Sequence, residues 1–199
     1  MVTSDVVGQQ VRRRTGGRSA RVRGAVLQAA LEAMAEHGLD GVTISEIARR
    51  AGVHATSIQR RWGSRENVAL DAMLTYSQEK LPIPDTGSLR DDLIAFARSI
   101  AAYLDTPLGE ALARTMAATD DDPALVANRA RFWQARYETA RVIVDRAIDR
   151  REVSAGTDPE LALELLVAPL HFRKLLIRQP IDDSLVEHMV DTLLHGLVG

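Results

Sequence analysis

Residues 42–67 read VTISEIARRAGVHATSIQRRWGSREN and form the most specific pattern of this chain. Two short amphipathic segments flank Gly52, and the second segment is basic. Thr43 and Glu46 have the spacing of a capping box, which predicts that a helix begins there. Gly52 ends that helix, because a tight turn needs a residue that accepts positive φ. The stretch therefore predicts a helix-turn-helix, an arrangement that places its second helix in a DNA groove.

The packing of such a motif rests on five positions of this stretch: Ala48, Gly52, Val53, Ile58 and Trp62. Ala48 is small where the two helices cross closely. Ile58 and Trp62 are four residues apart, so they anchor one face of the second helix in the core. The other faces carry side chains with hydrogen-bonding tips: Thr56, Ser57, Gln59 and Arg60. Those faces either meet a DNA groove or are the solvated surface of an ordinary helix.

The composition excludes several classes of protein. With 46% hydrophobic and 26% charged residues, the 199-residue chain is expected to fold as a soluble globule of one large domain or two small ones. The absence of cysteine excludes disulfides and Cys-ligated zinc or iron–sulfur sites. No apolar run reaches the roughly 18 residues of a membrane span, and the N-terminus has no apolar signal core. We therefore predict a cytoplasmic protein without a membrane partner.

Charge is distributed unevenly along the chain. Residues 1–66 hold 11 Lys and Arg against 6 Asp and Glu, a net charge of +5, whereas residues 67–199 hold 14 against 21, a net charge of −7. A basic third joined to an acidic remainder fits a nucleic-acid-binding module joined to a part that avoids nucleic acid. Chance clustering of surface charge is the alternative.

Six of the basic residues lie close together near the N-terminus: Arg12, Arg13, Arg14, Arg18, Arg21 and Arg23. Gly16 and Gly17 interrupt them, so we predict a flexible basic arm over residues 1–20. The arm either reaches into the minor groove and along the DNA backbone, or serves only as a solubilising tail.

Apolar residues recur at helical spacing throughout, without the alternation typical of strands. We predict an all-α protein of about nine helices. After the arm it is organised as a helix-turn-helix DNA-binding domain over 21–66 and a helical-bundle domain over 67–199. One long helix is expected from Pro123 to about Glu152. The next is expected from about Pro159 to Arg178, and the last begins near Asp182.

The stretch from Val26 to Leu70 resembles the N-terminal domain of TetR/AcrR-type transcriptional regulators. The matches lie along the first helix and its Glu36-His37-Gly38 end, along Thr43–Ala48, at Ala51-Gly52-Val53 and at Trp62–Glu66. Three later segments are similar to the C-terminal half of the family: Ser88–Leu93, Pro107–Gly109 and Asp158–Ala162. The resemblance implies a homodimeric, ligand-responsive regulator that binds double-stranded operator DNA and is usually a repressor.

The resemblance also implies which residues contact DNA. Thr43 and Arg65 should hold phosphates, and their places at helix N-termini favour this independently. The full predicted set is Arg18, Thr43, Ser45, His54, Ala55, Thr56, Ser57, Gln59, Arg60, Arg61 and Arg65. Ala55, Gln59 and Arg61 stand where the family commonly has Lys, Tyr and His. Gln59 can pair with adenine, and Arg60 or Arg61 with guanine, but the resemblance does not choose among them.

Inward-facing aromatic residues of the later helices suggest a cavity for a small-molecule effector. The candidate lining residues are Phe96, Ile100, Tyr103, Met116, Trp133, Tyr137 and Phe172. Plain core packing is the alternative for each of them. On the 123–152 helix the expected inner stripe includes Val126, Ala130, Trp133 and Tyr137. On the helix that begins at Pro159 it is Leu161, Leu165, Ala168, Phe172 and Leu176.

The last two helices are predicted to form the homodimer interface. Val186, Val190, Leu193, Leu194 and Leu197 give the final helix a wide apolar face that later chain need not cover. The chain has no nucleophile motif, phosphate loop or metal-ligand spacing, so we predict no enzyme activity, no metal and no cofactor. The alternative function is a helical adaptor whose helix-turn-helix contacts protein instead of DNA.

Overall fold

The structure is a computed structural model that describes residues 16–39, 41–117 and 123–197. The described residues form ten α-helices and no strand, so the all-α prediction is confirmed. The helices are α1 (Gly16–His37), α2 (Ile44–Ala51), α3 (Ala55–Trp62), α4 (Arg65–Lys80), α5 (Leu89–Leu104), α6 (Pro107–Ala117), α7 (Pro123–Ala140), α8 (Val142–Asp149), α9 (Pro159–His171) and α10 (Asp183–Leu197). None of these helices combines the length and apolar character needed to cross a membrane.

Local chemistry sets the ends of the helices around the predicted helix-turn-helix. The Thr43 hydroxyl accepts a hydrogen bond from the Glu46 amide at 3.1 Å, which caps α2. Gly52 ends α2 at φ 65°, a left-handed conformation that glycine adopts without strain. The Ser64 hydroxyl caps α4 by accepting from the Asn67 amide at 3.3 Å. The Thr43 cap and the Gly52 turn are therefore built as the sequence predicts.

Two clusters of buried side chains hold the molecule together. The first packs α1 to α4 around residues such as Met34, Ile47 and Ile58, and it also contains Met116 of α6 and Phe132 of α7. The second joins α5, α8, α9 and α10. Helix α4 belongs to the first cluster, and Leu81, which directly follows the helix, belongs to the second. A shift of α4 must therefore disturb the first cluster and would reach the second through Leu81.

Two predicted helices differ in the structure from their expected bounds. The long helix over 123–152 is divided at Arg141 into α7 and α8, which raises the count from about nine to ten. The interruption is local, because the Arg141 amide still donates to the Tyr137 carbonyl at 2.8 Å. Helix α8 ends at Asp149, and Arg151 adopts a left-handed φ of 63° just beyond it. Helix α1 begins at Gly16, so residues 16–20 of the predicted arm are helical.

The basic arm falls largely outside the described part of the chain. Residues 1–15, with Arg12, Arg13 and Arg14, lie outside the described residues. Arg18 falls within α1, but its side chain also lies outside them. The role of the arm stays a prediction.

The predicted inner face of α9 is wrong. Leu161, Leu165 and Phe172 are each about half exposed, whereas Leu163 and Leu166 on the other side of the helix are buried. Both sides of this helix are apolar, and the core formed with α5, α8 and α10 covers only one of them. After His171 the chain continues in a π-helical turn, Phe172–Leu176, which carries the exposed apolar surface further.

The predicted inner stripe of α7 is wrong at its first turns. Val126 is 48% exposed and Ala130 is also exposed, whereas Leu125, Phe132 and Arg136 are buried. The buried face is thus rotated from the expected one and brings an arginine into the interior.

Candidate nucleic-acid interface and interior cavity

Helix α3 presents its predicted contact residues on the outside of the molecule. Thr56, Gln59, Arg60 and Arg61 are exposed, as is His54 immediately before the helix. Ile58 is fully buried on the opposite face and anchors the helix in the first cluster. Two predicted contacts are less accessible: Ala55, which packs against that cluster, and Ser57 are both half-buried. Thr43 and Ser45 are exposed at the start of α2.

The long side chains of α3 differ in how they are held. Gln59 donates from Nε2 to the carbonyl oxygen of Gly63, so its amide caps the end of the helix. The Arg61 guanidinium lies 5.1 Å from the centroid of the Trp62 ring. Its Nη1 donates to Ser19 Oγ at 3.4 Å. Arg60 makes no hydrogen bond or ion pair to any part of the chain that the structure describes, so its guanidinium needs no rearrangement before it meets a ligand.

Arg65 is engaged within the protein. Its Nη1 donates to the carbonyl oxygens of Leu39 and Val42 at 3.3 and 3.1 Å. Its Nε forms an ion pair with Glu66 at 2.6 Å. Arg65 therefore fastens the start of α4 to the segment between α1 and α2. A contact between Arg65 and a DNA phosphate stays a prediction.

A network of ion pairs fastens α2 to α1. Arg50 donates to Glu46 on its own helix at 2.7 Å and makes two bonds to Glu36 of α1, at 2.8 and 2.6 Å. Arg49 makes two further bonds to Glu46. Hydrogen bonds from Arg49 and then Arg50 lower the pKa of Glu46 to about 2. The network fixes the start of α2, where Thr43 and Ser45 face solvent.

Two polar residues of α4 that the sequence did not predict as functional hold the end of α3. Asp71 accepts a hydrogen bond from Trp62 Nε1 at 2.9 Å. It also forms an ion pair with Arg23 of α1. Asn67 donates from Nδ2 to the Trp62 carbonyl at 2.8 Å. Asn67 and Asp71 are four residues apart, so they share one face of α4. Helix α4 also carries polar residues at many other positions, so the sequence does not single out these two.

Asn67 also connects to the later helices. Arg131 of α7 donates from Nη1 to Asn67 Oδ1 at 3.3 Å and to Asn128 Oδ1 at 3.0 Å. A polar chain therefore runs from α7 through α4 to the end of α3.

An interior cavity lies between α4, α5, α6, α7 and α9, with a volume of about 60 Å³. Six of the seven predicted lining residues surround it: Phe96, Ile100, Tyr103, Met116, Trp133 and Tyr137. Phe172 does not line it, and this prediction is wrong. Phe172 is 53% exposed, because it follows α9 on the face that the core does not cover. His171, its neighbour, lines the cavity instead.

One wall of the cavity is aromatic. Trp133 stacks on Tyr137 with ring centroids 5.9 Å apart and meets the edge of His171 at 5.5 Å. Burial lowers the pKa of His171, so this ring is neutral near neutral pH. Burial raises the pKa of Tyr103 and of Tyr137, so both keep their hydroxyl protons. This wall offers flat apolar surfaces with a few neutral polar atoms.

Arg136, which is not among the residues predicted from the sequence, also lines the cavity. It is only 6% exposed, and its Nη1 has no hydrogen-bond partner within the described residues. Leu125, Phe132, Arg136 and Ala140 mark the true buried face of α7. Their helical spacing is visible in the sequence. Because the series contains an arginine, however, the pattern is typical of a solvent-exposed face.

Comparison with known proteins follows the same division of the chain. The model of the bacterial regulatory proteins of the tetR family matches residues 26–72. The model of the tetracyclin repressor-like C-terminal domain matches residues 83–193. The HTH-type transcriptional regulator AqdR of Rhodococcus erythropolis is 36% identical over 179 residues, which cover 90% of this chain and 86% of that protein.

Two further relatives span nearly the whole chain. The DNA-binding transcriptional repressor TetR of Mycobacteroides abscessus is 30% identical, with 87% of this chain and 92% of that protein covered. The crystal structure of the TetR family transcription regulator SCO0332 superposes with a TM-score of 0.74 at 28% identity. It covers 90% of this chain and 100% of that one.

An exposed recognition helix, fastened by α4 to a helical body with an interior cavity, defines a helix-turn-helix DNA-binding transcriptional regulator. The two family models and the similarity to AqdR identify the family of this regulator. The chain belongs to the TetR family of transcriptional regulators.

Proposed function

We propose that this regulator is a repressor that binds a palindromic operator as a homodimer and leaves it when a small molecule enters the interior cavity. The observation that carries the proposal is the double role of α4. Its Asn67 and Asp71 hold the end of the recognition helix, while Met73 and Ser77 line the cavity. One rigid helix thus contacts both sites.

The DNA-binding head is assigned to residues 21–66 and the body to residues 67–199. The guanidinium of Arg60, which has no partner among the described residues, and the exposed side chains of Thr56 and Gln59 support base reading by α3. Thr43 and Ser45 at the N-terminus of α2 are suited to phosphate, since free amide groups and the positive end of the helix dipole point there. For Gln59 to read a base, its amide must first leave the Gly63 carbonyl.

The small size of the cavity indicates how an effector would release the DNA. A volume of about 60 Å³ is room for roughly two water molecules and for no drug-sized ligand. A ligand must therefore push the lining helices apart, and α4 and α7 are among them. Movement of either would pull on Asn67, which bonds both Arg131 and the Trp62 carbonyl. A coupling of ~1–3 kcal/mol between ligand and DNA would be typical.

Dimerisation is supported by the exposed face of α9. Leu161, Leu165, Phe172, Leu176 and Ile177 are each about half exposed or more, and together they give the body an uncovered apolar surface. Leu193 and Leu194 of α10 are only partly buried beside the second core cluster. Val186 and Val190 are buried within that cluster, so the prediction that they belong to the free face of α10 is wrong. A two-fold dimer through these two helices would present recognition helices roughly 34–36 Å apart, one turn of DNA.

Selection of bound fragments from genomic DNA, followed by footprinting, tests the proposal. We expect a palindromic site of two half-sites in successive major grooves, with affinity that falls steeply as salt rises. A regulator acting on the chromosome works in the cytoplasm, so such fragments should also be recovered from intact cells. If the affinity for DNA depends neither on the salt concentration nor on the DNA sequence, the adaptor function is favoured and the proposal is overturned.

A further inference from the structure

In the described part of the chain, the wall of the cavity holds a buried arginine with an unsatisfied nitrogen atom. Arg136 of α7 is 6% exposed, and its Nη1 makes no hydrogen bond within the described residues. Burial lowers the pKa of this guanidinium, and nearby Tyr103 opposes that effect. The ordinary pKa of arginine is so high that the side chain stays charged even so.

The residues around Arg136 do not neutralise it. The cavity wall is apolar or aromatic except for Ser77, Tyr103, Tyr137 and His171, all of which are neutral near neutral pH. No carboxylate belongs to the described residues that line the cavity. An unpaired charge away from water is strongly unfavourable, so a protein keeps one only where something compensates it. None of the described residues that line the cavity supplies that compensation.

We propose that the effector is a hydrophobic anion, with one negatively charged head of the carboxylate type bound to Arg136 and an apolar alkyl or aryl body in the rest of the cavity. This inference rests on the proposed ligand-responsive function and adds the chemical class of the ligand. A carboxylate fits because a guanidinium presents parallel N–H donors to its two oxygens.

The surroundings of Arg136 suit the two parts of such a molecule. Tyr103 of α5 is close enough for its hydroxyl group to interact electrostatically with Arg136, so it stands near the charged head. Phe96, Ile100 and Leu163 offer apolar contacts, and the Trp133–Tyr137 stack offers a flat one. A neutral ligand would leave the guanidinium unpaired, and a cation would meet its repulsion. Trapped water bound to Arg136 is the competing explanation, since the cavity has room for roughly two molecules.

Calorimetric titration of the full-length protein with four probes tests the proposal. Octanoate, 1-octanol and octylammonium share one alkyl chain and differ in charge, and 4-phenylbutyrate adds an aryl body. We expect octanoate to bind at least about tenfold more tightly than 1-octanol, the difference that a charged hydrogen-bonded pair typically makes. Octylammonium should bind most weakly. Equal binding of octanoate and 1-octanol, or no binding of either carboxylate at millimolar concentration, overturns the proposal without any variant.

Variants separate the ligand role from a structural one. Arg136→Met should abolish the preference for octanoate over 1-octanol, and Arg136→Lys should retain part of it. Arg114→Met is the matched control, because Arg114 is an exposed arginine of α6 paired with Glu110 and lies outside the cavity. Arg136→Met should also leave the Tm of the free protein unchanged or higher, because it removes an unpaired buried charge. A lower Tm with an unchanged preference would assign Arg136 to trapped water and overturn the proposal.

These titrations contain no DNA, so they separate the ligand class from the proposed function. Carboxylate binding that leaves the operator complex intact would contradict effector release and support the ligand class. A protein that binds its operator but neither carboxylate would overturn the ligand class and leave the DNA-binding function standing.

Discussion

The side-chain amide of Asn67 donates a hydrogen bond to the main-chain carbonyl of Trp62 at 2.8 Å, which ties the last turn of the recognition helix to the helix that follows it. The same amide accepts from Arg131 of α7 at 3.3 Å. One side chain therefore joins the DNA-binding head to a helix of the cavity wall. The position of α3 depends on where α4 and α7 lie.

Replacing Asn67 should weaken both the fold and DNA binding. Asn67→Ala removes a hydrogen bond from the Trp62 carbonyl and one from Arg131, so we expect a loss of about 1 kcal/mol in the free energy of unfolding. Operator affinity should fall roughly fivefold if that free energy is what orders α3. Urea denaturation and fluorescence anisotropy with the selected operator measure the two effects.

The matched control for Asn67→Ala removes a side-chain amide from the surface of α7. Gln134 is exposed there and donates from Nε2 to Glu138, one turn along the same helix, at 3.1 Å. Gln134→Ala should therefore change neither stability nor operator affinity by a comparable amount. If Asn67→Ala leaves the operator affinity unchanged, Asn67 does not couple the positions of α4 and α7 to that of α3.

Arg60 and Arg65 should differ in what their removal does. Arg60→Ala removes an exposed charge that has no partner among the described residues, so it should leave stability unchanged. If Arg60 contacts a phosphate, the slope of log affinity against log salt concentration should become shallower by about one. If it contacts a base, specificity should relax at one base pair. Arg65→Ala breaks bonds to the Leu39 and Val42 carbonyls and should destabilise the head by about 1 kcal/mol. Equal stability of the two variants would contradict the structural role of Arg65.

The sequence predicts the DNA-binding head well because its signals are local. The Thr43 cap, the left-handed Gly52 and the Ser64 cap depend on residues within a few positions of each other. The hydrogen bonds that hold α3 in place join residues that are farther apart in the sequence. Trp62 and Asp71 are nine positions apart, and Asn67 and Arg131 are 64 positions apart. Local patterns do not encode such pairs.

The body is predicted less well because periodicity does not say which apolar face is inside. Helix α9 has leucines on both sides, and only the packing of α5, α8 and α10 leaves Leu163 buried and Leu161 exposed. In α7 the buried face includes Arg136, which hydrophobic patterning assigns to solvent. Both errors fall at the two places where we propose that the chain contacts another molecule. At α9 this is the proposed partner subunit, and at Arg136 it is the proposed ligand.

Acid should loosen the attachment of α2 to α1. Hydrogen bonds from Arg49 and Arg50 lower the pKa of Glu46 from 4.5 to about 2. The depressed folded-state pKa means that this network stabilises the fold above pH 4.5 and that the contribution is lost as the pH falls toward 2. Urea midpoints measured across this range should fall less steeply for Glu46→Gln than for the parent protein.

The control for this acid dependence is Glu32→Gln. The Glu32 carboxylate accepts a hydrogen bond from the neutral amide of Gln28 on the surface of α1, so this variant should keep the parent slope. Added salt should reduce the effect of Glu46, since Arg49 and Glu36 of the network are exposed. A Glu46→Gln slope equal to that of the parent would contradict the assignment.

A charge placed on the exposed face of α9 should break the proposed dimer. Leu165 is 52% exposed near the middle of that face. In Leu165→Glu, a two-fold interface would bury carboxylates from both subunits, at a cost of several kcal/mol from desolvation and repulsion. Light scattering after size-exclusion chromatography should then show a monomer, and circular dichroism should show unchanged helicity. Affinity for the palindromic operator should fall toward that of a half-site. Val126→Glu is the matched control, because Val126 is 48% exposed on α7, outside the proposed interface. If Leu165→Glu remains a dimer, the interface lies elsewhere.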